Sequence, residues 1–220
     1  MQRREFSISA ATLAATVGLP ITAVHAQGQP LKEGVDYLTL DKPAPTEAAA
    51  GKIEVVEFFW YSCPHCNRFE PQLEEWAKKM PKDVVLRRAP IAFKPDFEPQ
   101  QRLYFALEGM NKVDELHKKV FYAIHVEKQG VDKAKFTEAY NSFPVATKTR
   151  KATLLQDAYK VDGVPALGVA GKYYTSGSVA QTMERALVVT DHLIGLVRTS
   201  MPAVTSNPKA AAKPAPAKAQ

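Results

Sequence analysis

Cysteine is nearly absent from this sequence of 220 residues, which contains only Cys63 and Cys66. A structural zinc site needs about four ligands, usually two cysteine pairs or one pair with two histidines. There is no second cysteine pair, and His117, His125 and His192 are scattered along the chain. We therefore expect no metal site, and we expect these three histidines on helix surfaces or at the edge of the core.

Other sequence signals are missing as well. Beyond the N-terminal region no apolar run approaches the ~20 residues of a membrane-spanning helix, so the mature chain is expected to be soluble. No internal repeat and no nucleotide or flavin motif is present. The net charge of +6 lies mostly at the two ends and leaves about +2 for the rest, which is weak support for nucleic-acid binding.

Both ends of the chain are predicted to be separate from the fold. Residues 1–26 combine a basic start, an apolar stretch and small residues at Val24 and Ala26, the pattern of a signal peptide. The sequence RREF is typical of a twin-arginine signal, and the general secretory route remains the alternative. Residues 201–220, rich in alanine, proline and lysine, predict a disordered tail.

In an exported protein the cysteine pair could be a structural disulfide, part of a metal site or a redox couple. In an oxidising compartment a pair is usually a structural disulfide, but a bridge across two residues closes a very small loop and removes little entropy from the unfolded chain. A soft Cu(I) or Zn(II) site in a metal-delivery protein is another alternative, although no methionine or histidine cluster accompanies the pair. A redox couple is therefore favoured.

The residues around the pair predict a strand followed by a helix. Lys52–Phe59 is rich in β-branched and aromatic residues, as in a buried strand. After Cys63 the spacing of apolar residues becomes helical, at Phe69, Leu73, Trp76 and Met80. Pro64 suits the first helical position, which places the accessible Cys63 sulfur where free N–H groups and the helix dipole favour a thiolate.

His65 adds to this effect, because an imidazole beside Cys63 can donate a hydrogen bond or a positive charge to the thiolate. Stabilising the reduced form of a pair makes its disulfide a stronger oxidant. We interpret Pro64 and His65 as the residues that tune the pair toward oxidation.

The segment EFFWYSCPHCNRFEPQLEEW resembles the active site of the DsbA family of thiol:disulfide oxidoreductases, within the thioredoxin superfamily. A second segment, VDGVPALGVAGKYY, predicts a strand at Ala166–Ala170, a turn at Gly171-Lys172 and a partner strand. The resemblance implies that Val164-Pro165 is a cis dipeptide that faces the cysteines and binds the backbone of a client protein. It implies a redox-active disulfide in which Cys63 is the nucleophile.

Glu57 is a lone carboxylate in the predicted strand. Burial without solvation is expected to raise its pKa, and an edge glutamate paired with a lysine is the alternative. The family has a glutamate six residues before its first cysteine, so the resemblance implies that Glu57 transfers protons to and from Cys66.

The resemblance implies an α/β fold class, a thioredoxin-like fold with a helical domain inserted between the CPHC half and the cis-proline half. The expected domains are 27–96 with 161–200, and the helical insertion at 97–160. A strand is expected at Val84–Ala89 and a last helix at Val179–Thr199. Core stripes of the inserted helices are predicted at Leu103, Ala106, Leu107 and Met110; Leu116, Val120, Phe121 and Ile124; Phe136, Tyr140 and Phe143; and Leu154, Leu155, Ala158 and Tyr159.

The sequence thus predicts a periplasmic oxidoreductase that donates its disulfide to reduced, unfolded exported proteins. The resemblance implies re-oxidation by a DsbB-like, quinone-linked membrane partner. No added cofactor, no metal and no nucleic acid are expected, since the disulfide is itself the redox group, and the protein is expected to be a monomer. A disulfide isomerase or reductase of the same superfamily is the alternative, although the periplasmic isomerases carry an N-terminal dimerisation domain for which the ~25 residues before the first core strand leave no room.

Overall fold

The fold is built on one mixed β-sheet covered by helices. The computed structural model describes residues 30–128 and 137–201, and all elements named below belong to one unit that begins at Leu31. The predicted signal peptide, the tail from residue 202 onward and Phe136 lie outside the described residues.

The sheet has five strands in the order β1-β5-β4-β2-β3. Only β2 and β3 run parallel, and the other neighbours are antiparallel. The strands are β1 (Leu38–Thr39), β2 (Ile53–Phe59), β3 (Val84–Pro90), β4 (Ala166–Val169) and β5 (Tyr173–Ser176). All seven residues of β2 are buried, because this strand has a neighbour on each side and helices over both faces.

Six α-helices accompany the sheet in residues 30–128 and 137–201. They are α1 (Pro64–Ala77), α2 (Glu98–Gly109), α3 (Val113–His125), α4 (Thr137–Tyr140), α5 (Phe143–Ala158) and α6 (Met183–Ser200). Helices α2 to α5 follow β3 and precede β4, as predicted for the insertion, whose domain boundaries stay a prediction. The last helix begins at Met183 rather than Val179, because the Thr182 side chain accepts a hydrogen bond from the Arg185 N–H and caps it. Within the described ranges, none of the helices has the length and apolarity needed to cross a membrane.

Side chains alternate between the two faces of β2. Ile53 and Val55 face a core formed with residues of α1 and α6, whereas Val56 and Phe58 face a core that includes Leu155 of α5. By this alternation Glu57 lies on the face covered by α1. The position of Glu57 beneath the cysteine helix therefore follows from strand geometry.

The predicted core stripes of the inserted helices are wrong at three positions, since Met110, Phe143 and Leu154 are exposed. Met110 follows the last residue of α2, and Phe143 is the first residue of α5. Leu154 neighbours Leu155, which is buried. Adjacent helical residues point about 100° apart, so only one of the two can face the core.

The packing around Gly168 makes a testable prediction about stability. A Cβ at this position of β4 would lie 2.3 Å from the Tyr159 ring, which packs on Phe58 and accepts a hydrogen bond from the Gly171 N–H. We expect Gly168→Ala to lower the free energy of unfolding by about 1–3 kcal/mol in denaturant titrations.

Gly195→Ala is the matched control. Gly195 lies within α6 with nothing within 4 Å of its added Cβ, so alanine is expected to be neutral or to stabilise by about 0.5–1 kcal/mol. Equal stability of the Gly168→Ala variant and the wild type would contradict the close packing.

Candidate active site

Cys63 caps the N-terminus of α1. Its backbone is extended, with φ −78° and ψ 116°, and Pro64 is the first helical residue. The Cys66 N–H donates to the Cys63 sulfur at 3.4 Å. The predicted turn from strand to helix is confirmed, and it brings the cysteine sulfur onto the free N–H groups of the first helical turn.

Both cysteines are free and largely covered. Cys63 is only 7% exposed and Cys66 is fully buried, so the expectation of an accessible Cys63 is wrong for this conformation. The loop that precedes β4 covers the sulfur, and the Val164 carbonyl oxygen lies 3.4 Å from Cys63 Sγ. The two sequence segments, 101 residues apart, therefore meet at one sulfur atom.

The Val164-Pro165 peptide bond is cis. Val164 and Pro165 line an open cleft of about 440 Å³ that His65 borders on the helix side and Met183 of α6 on the other. The cleft continues away from Cys63 between the proline loop and the segment after β5. A polypeptide bonded to Cys63 would have this cleft beside it.

The two thiols have opposite electrostatic environments. The hydrogen bond from the Cys66 thiol, with those from the backbone N–H groups of Cys66 and His65 and the His65 charge, lowers the pKa of Cys63 to about 6 against the effect of burial. Burial, followed by the bond to Cys63, raises the pKa of Cys66 far above its ordinary range. The exposed His65 ring accepts a hydrogen bond from Arg68 at its Nδ1, at 2.7 Å. Cys63 is thus a thiolate at neutral pH and Cys66 a thiol.

Glu57 is fully buried in β2, between β4 and β3. Its Oε2 accepts a hydrogen bond from Arg88 Nε at 3.1 Å, across the β2–β3 pair. The alternative of an edge glutamate paired with a lysine is therefore wrong. Burial and the neighbouring Glu70 carboxylate raise the pKa of Glu57 to about 8, although Arg88 opposes them.

Three further side chains extend this arrangement. Arg88 also donates through its second amino group to Glu70 Oε1, one turn beyond Cys66 on α1. His117 of α3 places Nε2 3.5 Å from Glu70 Oε2, and its Nδ1 lies 2.8 Å from the Tyr61 hydroxyl. A buried polar chain thus leads from Glu57 through Arg88 and Glu70 to His117.

The expected surface or core-edge position is wrong for His117, which is only 3% exposed. It lies four residues before the buried Phe121 on α3, so both face the core. That spacing was a usable signal in the sequence, as was the spacing of Glu70 four residues after Cys66. Arg88 could not be found in this way, because its contact with Glu57 depends on the register between two strands.

In residues 30–128 and 137–201, histidine, cysteine, aspartate and glutamate side chains form no group of three or more that could hold a metal ion. The cysteine pair therefore has no further ligand beside it in the described part of the chain.

The chain is similar to several proteins named thiol:disulfide interchange protein DsbA. It is 42% identical over 212 residues to that of Bordetella parapertussis, covering 88% of this chain and 98% of the relative. It is 39% identical over 184 residues to that of Pseudomonas aeruginosa, covering 77% and 87%. No protein-family model matches the chain.

Solved structures agree with this likeness. The crystal structure of Pseudomonas aeruginosa DsbA matches with a TM-score of 0.70 and 38% identity, over 76% of this chain and 94% of that one. That of the oxidoreductase DsbA from Xylella fastidiosa matches with a TM-score of 0.70 and 29% identity, over 77% and 98%. The predicted fold class, thioredoxin-like α/β with a helical insertion, is confirmed.

The Cys63 environment predicts a thiol titration. In the reduced protein, the rate of Cys63 alkylation should follow a thiolate that forms with a midpoint near pH 6. The His65→Ala variant should shift this midpoint upward, because it removes an imidazole that favours the thiolate whenever the ring is protonated. His192→Ala, on α6, is the control and should leave the midpoint unchanged.

The same titration predicts the pH dependence of stability in the reduced protein. Folding lowers the pKa of Cys63, so ionisation of this thiol adds to the free energy of unfolding. That stabilisation is complete above the ordinary thiol pKa of about 8.5 and is lost as the pH falls through about 6. A wild-type alkylation midpoint near 8.5 would contradict both expectations.

Proposed function

Because this chain belongs to the DsbA family and is a thiol:disulfide oxidoreductase of the thioredoxin superfamily, we propose that it oxidises reduced, unfolded exported proteins in the periplasm. The observation that carries the proposal is the contrast between the two thiols, a thiolate at Cys63 and a buried thiol at Cys66. Such a pair is stabilised in its reduced form, which makes the disulfide form a strong oxidant.

The first step is attack by a client thiolate on the Cys63 sulfur of the Cys63–Cys66 disulfide. A client–Cys63 disulfide forms, the Cys63–Cys66 bond breaks, and Cys66 leaves as a thiolate. The high pKa of Cys66 means that this thiolate must take up a proton at once. Glu57 is the proposed donor, since its own pKa of about 8 keeps it protonated at neutral pH.

The second step releases the client. Its second thiolate attacks the client sulfur of the mixed disulfide, a client disulfide forms, and Cys63 leaves as a thiolate. A thiolate of low pKa is a good leaving group, and Cys63 has the N–H groups of α1 to receive its charge. The client loses two electrons and the enzyme gains them as a dithiol.

Client binding is proposed for the backbone at Val164 and the cleft beside it. The Val164 carbonyl already contacts the Cys63 sulfur, so an extended client segment bonded to Cys63 passes this backbone and can pair with it as an added strand. Main-chain pairing does not depend on the client's side chains, which suits an enzyme with many unfolded substrates.

Re-oxidation completes the cycle. The proposed oxidant is a DsbB-like, quinone-linked membrane partner, which takes two electrons from the Cys63–Cys66 dithiol and passes them to quinone. The intrinsic disulfide is the proposed redox group, with no added cofactor, and the enzyme is proposed to act as a monomer.

The roles of the two cysteines predict different outcomes for their variants. Cys63→Ser should abolish oxidation of a reduced client, because the attacked sulfur is gone. Cys66→Ala should accumulate client–Cys63 mixed disulfides, visible as adducts on non-reducing gels. A Cys63→Ser variant that still oxidises clients would disprove the assignment.

The direction of the reaction predicts the redox state in the cell. We expect thiol trapping to find Cys63 and Cys66 mainly oxidised when the membrane partner is present, and reduced when it is deleted. A pair that is mainly reduced in the partner's presence would instead identify an isomerase or reductase.

A further inference from the structure

Two buried carboxylates share one cation beneath the cysteine helix. Arg88 donates from Nε to Glu57 and from an amino group to Glu70. Glu57 is fully buried and Glu70 is 3% exposed. We call Glu57, Glu70, Arg88 and His117 the acid cluster.

The charge of the acid cluster requires a proton. A second buried carboxylate without its own cation is strongly disfavoured, so a close pair of carboxylates binds one proton at neutral pH. The two glutamates differ in their remaining contacts. Glu57 Oε1, Glu70 Oε2 and His117 Nε2 are all buried without a hydrogen-bond partner among the described residues, but Glu70 Oε2 and His117 Nε2 lie only 3.5 Å apart and face each other.

Tyr61 fixes the tautomer of His117. Among the described residues, the only hydrogen-bond partner of the Tyr61 hydroxyl is His117 Nδ1, at 2.8 Å. Burial raises the pKa of Tyr61 and lowers that of His117, so the phenol keeps its proton and the imidazole is neutral. The hydroxyl therefore donates to Nδ1, and the ring proton lies on Nε2, directed at Glu70.

We propose that His117 is a positioning residue that stabilises ionised Glu70 and thereby keeps the proton of the acid cluster on Glu57. Glu57 directly precedes Phe58 and Phe59, and Phe59 packs in the same apolar cluster as Cys66. The proposal rests on the proposed role of Glu57 as the proton donor to Cys66, and it explains why Glu57 is protonated before the reaction.

The titration behaviour of the cluster agrees with this assignment. Burial alone would raise the pKa of Glu70, but the contacts with His117 and Arg88 hold it below its ordinary value. The ionised Glu70 then adds to the effect of burial in raising the pKa of Glu57 to about 8. Loss of the His117 contact should therefore raise the pKa of Glu70 and lower that of Glu57.

A cleft of about 430 Å³ between α1 and α3 borders the acid cluster on the side away from the client cleft. It is lined by Arg88 and His117, but not by Glu57, Glu70 or the two cysteines. The titratable and charged groups that face the cluster are Cys66, Glu74 and Lys78 from α1, Tyr61 from the turn before α1, Tyr104 from α2, and Asp114 and Lys118 from α3.

The test measures the Glu57 titration directly and through the reaction. Carboxyl resonances of the full chain with ¹³C-labelled glutamate give the Glu57 midpoint, assigned by Glu57→Gln. His117→Phe keeps the ring volume but removes the donor, and it should lower the Glu57 midpoint by about one pH unit. His117→Gln retains an N–H donor and should recover most of the shift. His192→Phe is the surface control and should leave the midpoint unchanged.

The oxidation of a two-cysteine peptide gives the second readout. The rate, corrected for the peptide's thiolate fraction, should decline as the pH rises through about 8 in the wild type. In His117→Phe the decline should begin about one pH unit lower, with equal rates near pH 6 and a several-fold loss near pH 7.5. Glu57→Gln should lack this decline at every pH.

The outcomes separate the two proposals. A wild-type Glu57 midpoint in His117→Phe overturns the role of His117 and leaves the role of Glu57 standing. A shifted midpoint with no change in the rate profile of either His117→Phe or Glu57→Gln keeps the proton placement and rejects Glu57 as the donor. If His117→Phe does not fold, Glu70→Gln replaces it, since loss of the Glu70 charge should also lower the Glu57 midpoint; an unchanged midpoint there overturns the proposal.

Discussion

The unpaired N–H groups at the start of α1 set the chemistry of the whole molecule. They stabilise negative charge on Cys63, and a stabilised thiolate makes the reduced form of the pair favourable. This arrangement requires that a strand end just before Cys63 and that Pro64 begin the helix. It also requires that the second sulfur point inward, where burial keeps Cys66 protonated.

Because Cys66 faces inward, the thiolate that it forms during the reaction has no contact with solvent and needs a buried proton donor. The sheet beneath the helix carries groups that can supply this proton. Glu57 lies in β2, where burial and the Glu70 carboxylate raise its pKa, while Arg88 on the adjacent strand keeps it from being an isolated buried charge. Glu70 on α1 and His117 on α3 face each other beside this pair and complete the group of buried polar side chains. Polar groups from four elements converge here because each is turned inward by the period of its own strand or helix.

Much of this site can be predicted from sequence because it is local. The strand, the turn and the helix around Cys63 follow from short patterns, and so does the hairpin after Pro165. Errors arose where the environment is decided by distant residues. His117 was expected at the surface or the core edge and is buried, and Leu154 was expected in the core and is exposed, because a helical stripe does not say which neighbour will cover it.

The sequence by itself determined the cysteine pair and its position at a helix start, since these depend on residues that are neighbours in the chain, and the type of fold followed from the resemblance of the two motifs to a known family. Only the tertiary structure decided that Val164 covers Cys63 and that Arg88 and His117 reach the two glutamates. Those contacts join residues 18 to 101 positions apart, and they depend on strand register and helix packing, which side-chain periodicity does not specify.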